Sequence, residues 1–76
     1  MPKYPNISGK DLLIILYSLG FELIRVNGSH HRLKHSDGRV TTVPIHSNKI
    51  LPKGLLHKII KEDLLLTTDE FLNFIK

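Results

Sequence analysis

FELIRVNGSHHRLKHSDGRVTTV, residues 21–43, is the stretch that decides the fold. It holds three short runs suited to extended backbone, divided by Asn27-Gly28 and Asp37-Gly38, the dipeptides that most strongly mark tight reversals between strands. Asn27-Gly28 reads as a two-residue hairpin loop of the kind that needs positive φ. The strands are then Phe21 to Val26, His30 to His35 and Arg39 to Val43, the last rich in β-branched residues and stopped by Pro44. Strands joined by two such turns in succession pair as an antiparallel meander.

The flanks supply helices. Ser8 and Asp11 have capping-box spacing, and Leu12, Leu13, Leu16 and Leu19, with Ile15, form an apolar stripe that Gly20 ends. Pro52 suits the first position of a second helix, in which Leu55, Leu56, Ile59 and Ile60 face inward and Lys53, His57, Lys58 and Lys61 face water. Thr67 and Glu70 repeat the capping-box spacing and open a short third helix whose inward residues are Phe71, Phe74 and Ile75. The predicted architecture is an α+β sandwich of order α-β-β-β-α with a short C-terminal helix. Its three-stranded antiparallel sheet carries the helices on one face and leaves the other face wet.

Seventy-six residues leave room for one domain, expected to span residues 1–76. With no cysteine, a thiol nucleophile, a thiolate zinc site and a disulfide scaffold are excluded, and a reducing, cytoplasmic setting is expected. The longest apolar run, Leu12 to Tyr17, is six residues, where a membrane-spanning helix needs about 18, so no membrane association is expected. Lys3 and Lys10 before that run and Ser18-Leu19-Gly20 after it outline a signal peptide. Asp11 argues against one, and a capped amphipathic helix explains the same residues.

The net charge of +4 is unevenly spread: residues 25 to 58 hold seven cations (Arg25, Arg32, Lys34, Arg39, Lys49, Lys53, Lys58) against the single anion Asp37. All five histidines (His30, His31, His35, His46, His57) lie in the same segment. Such a concentration points to a polyanion, most simply nucleic acid. Strand alternation places His30, Arg32 and Lys34 on one face and His31, Leu33 and His35 on the other, with Leu33 marking the second face as inward. His31 and His35 are therefore expected to be partly buried and hydrogen-bonded.

Read together, Gly20-Phe21, Arg25, Gly28-Ser29-His30, His35-Ser36-Asp37-Gly38, Val43-Pro44-Ile45-His46 and Pro52-Lys53-Gly54 resemble the HicA family of toxin mRNA interferases, over a span from about Ser8 to Phe71. The resemblance implies a fold like the double-stranded-RNA-binding domain, an endoribonuclease activity on mRNA without a required metal or cofactor, and neutralisation by a HicB-type antitoxin. It also implies that the histidine of the Gly-Ser-His motif, His30, is catalytic.

The chemistry of His30 is compatible with that role. RNA brings its own nucleophile, the 2′-hydroxyl, and an imidazole of ordinary pKa about 6.5 can take its proton or protonate the departing 5′-oxygen. Arg32 and Lys34 flank His30 and could hold the scissile phosphate. Ser29 beside it, His46 and Lys49 in the polar loop after the third strand, and Lys53 at the start of the second helix complete the expected RNA-binding set. A serine hydrolase is disfavoured because no acid is placed to orient the histidine. A metal site is disfavoured because the histidines lack ligand spacing and neighbouring carboxylates. The alternative of another class is a non-catalytic RNA-binding module of the same fold.

Overall fold

A computed structural model of the protein describes residues 4–47 and 49–75. Lys3, which entered the signal-peptide reading, lies outside the described residues. The order is α1 (Gly9–Ser18), β1 (Phe21–Asn27), β2 (His30–His35), β3 (Val40–Pro44), α2 (Lys53–Lys58) continuing as a π-helical turn (Ile59–Asp63), and α3 (Thr68–Phe74). The strands form one antiparallel sheet in the order β1-β2-β3, so the chain has the α+β layout that its turns and stripes predict.

Both helix starts that have capping-box spacing form it. The Asp11 N–H donates to Ser8 Oγ and the Ser8 N–H to the Asp11 carboxylate, and Thr67 and Glu70 make the same exchange. Each such cap contributes about 1 kcal/mol. One core gathers Leu12 and Leu16 of α1, Phe21, Leu33 and Val43 of the sheet, Leu56, Ile59, Ile60 and Leu64, and Phe71 of α3. The helices thus cover one sheet face. Ser8 bridges Ile50, the Leu51 N–H donates to the Ile7 carbonyl, and a Cβ on Gly9 would lie 2.7 Å from Ile45 Cδ1 and within the radius of the Pro44 carbonyl oxygen. Only glycine lets the first turn of α1 come so near the exit of β3.

The turns differ in detail from the sequence reading. Asn27 is still in the ladder, paired with His30, so the first loop is Gly28-Ser29 rather than Asn27-Gly28. Gly28 takes φ 61° and Ser29 stays at negative φ, the pattern of a type II′ turn led by glycine. The second loop has three residues, Ser36-Asp37-Gly38. The Gly38 N–H donates to the His35 carbonyl, and Gly38 at φ 102° makes the bulge that closes such loops.

Three further departures concern the helices. Pro52 is the residue before α2, not its first member, and supplies no side-chain cap. After Lys58 the helix widens: the Leu64 N–H reaches the Ile59 carbonyl five residues back, which brings Leu64 into the core beside Ile60. Phe74 is not inward. It is 51% exposed, and Phe71 with Ile75, four residues on and hence on the same side of the helix, supplies the apolar contact of α3.

Candidate functional site

The open face of the sheet is built by β2 and its neighbours. His30 directly follows the II′ turn, its side chain is exposed, and no side chain among the described residues hydrogen-bonds its ring. Arg32 lies two residues along on the same face, about 7 Å away by strand rise, and its Nη1 is 3.4 Å from Thr42 Oγ1 on β3.

Arg25 joins them through a bulge. Simple alternation from the buried Phe21 would send Arg25 into the core, but the register slips at Ile24: Leu23 pairs with the inward Leu33, and Arg25 pairs with the outward Arg32. The extra residue re-aims the guanidinium onto the open face. Arg25, Asn27, His30, Arg32 and Thr42 line one hollow of about 210 Å³. Two arginines directly opposed across a ladder destabilise an empty sheet. An anion between them would offset that repulsion.

The other predicted residues are distributed around this hollow. Ser29 sits in the turn beside His30, and its carbonyl accepts the Ile45 N–H at 2.7 Å. Pro44 pairs with His30 and also lines a second groove with His46 and Lys49, so those two stand at the same end of the sheet as His30. Lys34 shares the open face but lies toward the far end of β2, opposite Glu22 and in a shallow groove with Ile24 and Ser36. Lys53 does not line the hollow; its ammonium donates to the Tyr4 carbonyl.

Arg25, Asn27 and Thr42 are the residues that the sequence reading left out of the site. For Arg25 a signal was present, since an unbroken alternation starting from Phe21 puts a charge in the core. That contradiction is the mark of a bulge. Among the described residues no group of three histidine, cysteine, aspartate or glutamate side chains gathers as a metal site, and no helix is long and apolar enough to cross a membrane.

His31 and His35 face the other way, as alternation predicts. His35 Nε2–H donates to the Leu19 carbonyl at 3.0 Å and its Nδ1 accepts the Asp37 N–H at 3.1 Å, an assignment fixed by the carbonyl, which can only accept. The ring packs edge-on against Phe21. The Asp37 carboxyl is held below its ordinary range by the Arg39 backbone N–H, helped by the charge of Arg39.

The class these features define is a small α+β protein whose open sheet face carries two opposed arginines beside a histidine that has no side-chain partner among the described residues. A family model described as the HicA toxin of bacterial toxin-antitoxin systems matches residues 9–63, and the chain belongs to that family. Its role is that of the toxin of a toxin-antitoxin pair, with an antitoxin as partner. No curated protein matches the chain.

Proposed function

We propose that the protein is an endoribonuclease that cleaves mRNA at the hollow around His30, and that a HicB-type antitoxin restrains it by covering that face. The observation that carries the reading is a histidine with no side-chain partner among the described residues, beside two directly opposed arginines. Family membership adds to it, since the family is one of toxins and the resemblance carried by the Gly-Ser-His and Val-Pro-Ile-His motifs implies an RNA-cleaving one.

In the proposed reaction His30 takes the proton of the 2′-hydroxyl as its oxygen attacks the adjacent phosphorus. The bond from phosphorus to the 5′-oxygen breaks, the leaving oxygen gains a proton, and the products are a 2′,3′-cyclic phosphate and a 5′-hydroxyl. Arg25 and Arg32 hold the non-bridging oxygens, on which negative charge accumulates in the transition state. The nucleophile belongs to the substrate, so the step draws on no cofactor. Ser29, Lys34, His46 and Lys49 lie along or beside the face as further contacts for the strand, whereas the Lys53 ammonium is taken up by the Tyr4 carbonyl. Binding is correspondingly electrostatic: three or four phosphate contacts give a log-log salt slope of about −2 to −3 for single strands.

The test is incubation of pure protein with end-labelled single-stranded mRNA in EDTA. Fragments ending in cyclic phosphate are expected from the wild type and none from His30→Ala. An RNA that is shifted but intact with the wild type replaces this reading with the non-catalytic binding module, and equal cleavage by His30→Ala removes the histidine from the mechanism.

A further inference from the structure

We propose that the groove between β3 and α2 seats the nucleobase beside the cleaved phosphate, and that Asp63 selects bases that present an amino group. The inference rests on the RNA-binding reading above and extends it.

The placement comes first. Arg32 and Thr42 line the His30 hollow and also one side of a larger groove of about 330 Å³ between β3 and α2. A strand whose phosphate sits against Arg32 therefore has its neighbouring nucleoside at the mouth of that groove. The floor is aliphatic, made by Val40, Leu55 and Ile59, and Lys58 stands at the rim. An apolar bed with a few polar groups at its edge takes the flat face of a ring while the cations hold the backbone.

Asp63 supplies the selectivity. It is the end of the π-helical turn that begins with Ile59, so one five-residue segment provides both part of the floor and the carboxylate. Such widened turns recur at functional sites. The buried Thr41 hydroxyl donates to Asp63 Oδ2 at 2.9 Å, which fixes the carboxyl, and Oδ1 has no partner among the described residues. A carboxylate repels phosphate and can only accept hydrogen bonds. In a groove opening onto a cationic face it fits the amino edge of a base, as acidic side chains accept from cytosine N4. Uracil fits poorly: its one ring N–H is flanked by two carbonyl oxygens that the carboxylate would oppose.

Fluorescence anisotropy with hexamers of cytidine, adenosine and uridine, 2′-O-methylated so that they cannot be cut, tests the proposal. The wild type is expected to bind the cytidine and adenosine hexamers about tenfold more tightly than the uridine hexamer. Asp63→Asn keeps an acceptor for Thr41 but offers a donor to the base, and the ratio should fall to near one. Leu55→Glu, on the floor, should lower affinity for the cytidine hexamer to that for uridine. Equal binding of all three hexamers by the wild type overturns the proposal, as does a ratio that Asp63→Asn, folded by circular dichroism, leaves unchanged. The hexamers separate this result from cleavage. A protein that discriminates among them yet leaves ordinary RNA intact upholds the groove and overturns the nuclease reading; one that cuts RNA without discriminating does the reverse.

Discussion

His30 and His35 stand at the two ends of one strand, and the fold uses them in opposite ways. His35 has both ring nitrogens engaged, lies against Phe21, and neighbours a turn in which Arg39 bonds Asp37, stacks over Phe21 and donates to the Leu64 carbonyl at 2.6 Å. That end is closed: its cation is answered by a carboxylate, a ring and a helix-end carbonyl. At the other end the His30 ring has no side-chain partner among the described residues, and Arg25 faces Arg32 rather than an acid. The same two residue types are structural where their charges and donors are matched and available for chemistry where they are not.

Exchanging the loss between the two ends is the strongest way to break this comparison. His30→Ala is expected to lower RNA cleavage by about 10²- to 10⁴-fold, the range of a general acid-base group, with an unchanged melting curve. His35→Ala should do the opposite. Losing two hydrogen bonds, one part-buried and one exposed, and the contact with Phe21 should cost about 2 kcal/mol, a fall of roughly 10 °C in melting temperature, while cleavage per folded molecule is kept. A catalytic loss at His35 equal to that at His30 would erase the distinction.

Gly20→Ala probes the closed end from its other side. Gly20 has φ 99°, and an added Cβ would stand 3.0 Å from His35 Nε2, so a loss of about 2 kcal/mol is expected in a denaturant titration. Gly28 also needs positive φ but faces open space, so Gly28→Ala should cost only about 1 kcal/mol. Equal losses would mean that the approach to His35 contributes nothing.

Arg25→Ala sharpens the open end. Removing one of two opposed cations should leave the free protein as stable or slightly more so, yet reduce the magnitude of the salt slope of RNA binding by about 0.7. A destabilised fold together with an unchanged slope would show Arg25 to be a structural residue.

The smallest effect is on pH. Asp37 and Glu70 are exposed, and in the fold each is held below its ordinary range, chiefly by a backbone N–H, from Arg39 and Thr67 respectively. A carboxyl whose folded value is depressed stabilises the fold above its unfolded value and loses that contribution as pH falls through the folded one. Stability should therefore decline as pH falls below about 4, and less steeply in Asp37→Asn than in wild type. Identical acid limbs in thermal melts would rule out Asp37 as a contributor.

The parts of the molecule legible in the sequence were those with local causes. Asn27-Gly28 and Asp37-Gly38 announced the meander, Ser8/Asp11 and Thr67/Glu70 announced two helix starts, and alternation through Leu33 put His30 and Arg32 on the outer face. What escaped depends on partners distant in the chain. The II′ loop slid by one residue because pairing with His30 drew Asn27 into the ladder. The bulge at Ile24 is set by registering Leu23 on Leu33 and Arg25 on Arg32 together. The widened turn after Lys58 follows from seating Leu64 in the core. Thr42 and Asn27 offered no local signal, since their place in the hollow comes only from the register of neighbouring strands.

The bridge between Ser8 and Ile50 also sets an order of events in folding. The hairpins close through loops of two and three residues, on a timescale of microseconds. The bridge must close about 40 residues of chain, at an entropic cost of about 3 kcal/mol. Isolated hairpins are marginal in water, so the meander flickers until α1 docks where Gly9 meets Pro44 and Ile45. The hollow around His30 therefore belongs to the whole folded molecule, closed by a long-range contact, and not to its central hairpin alone.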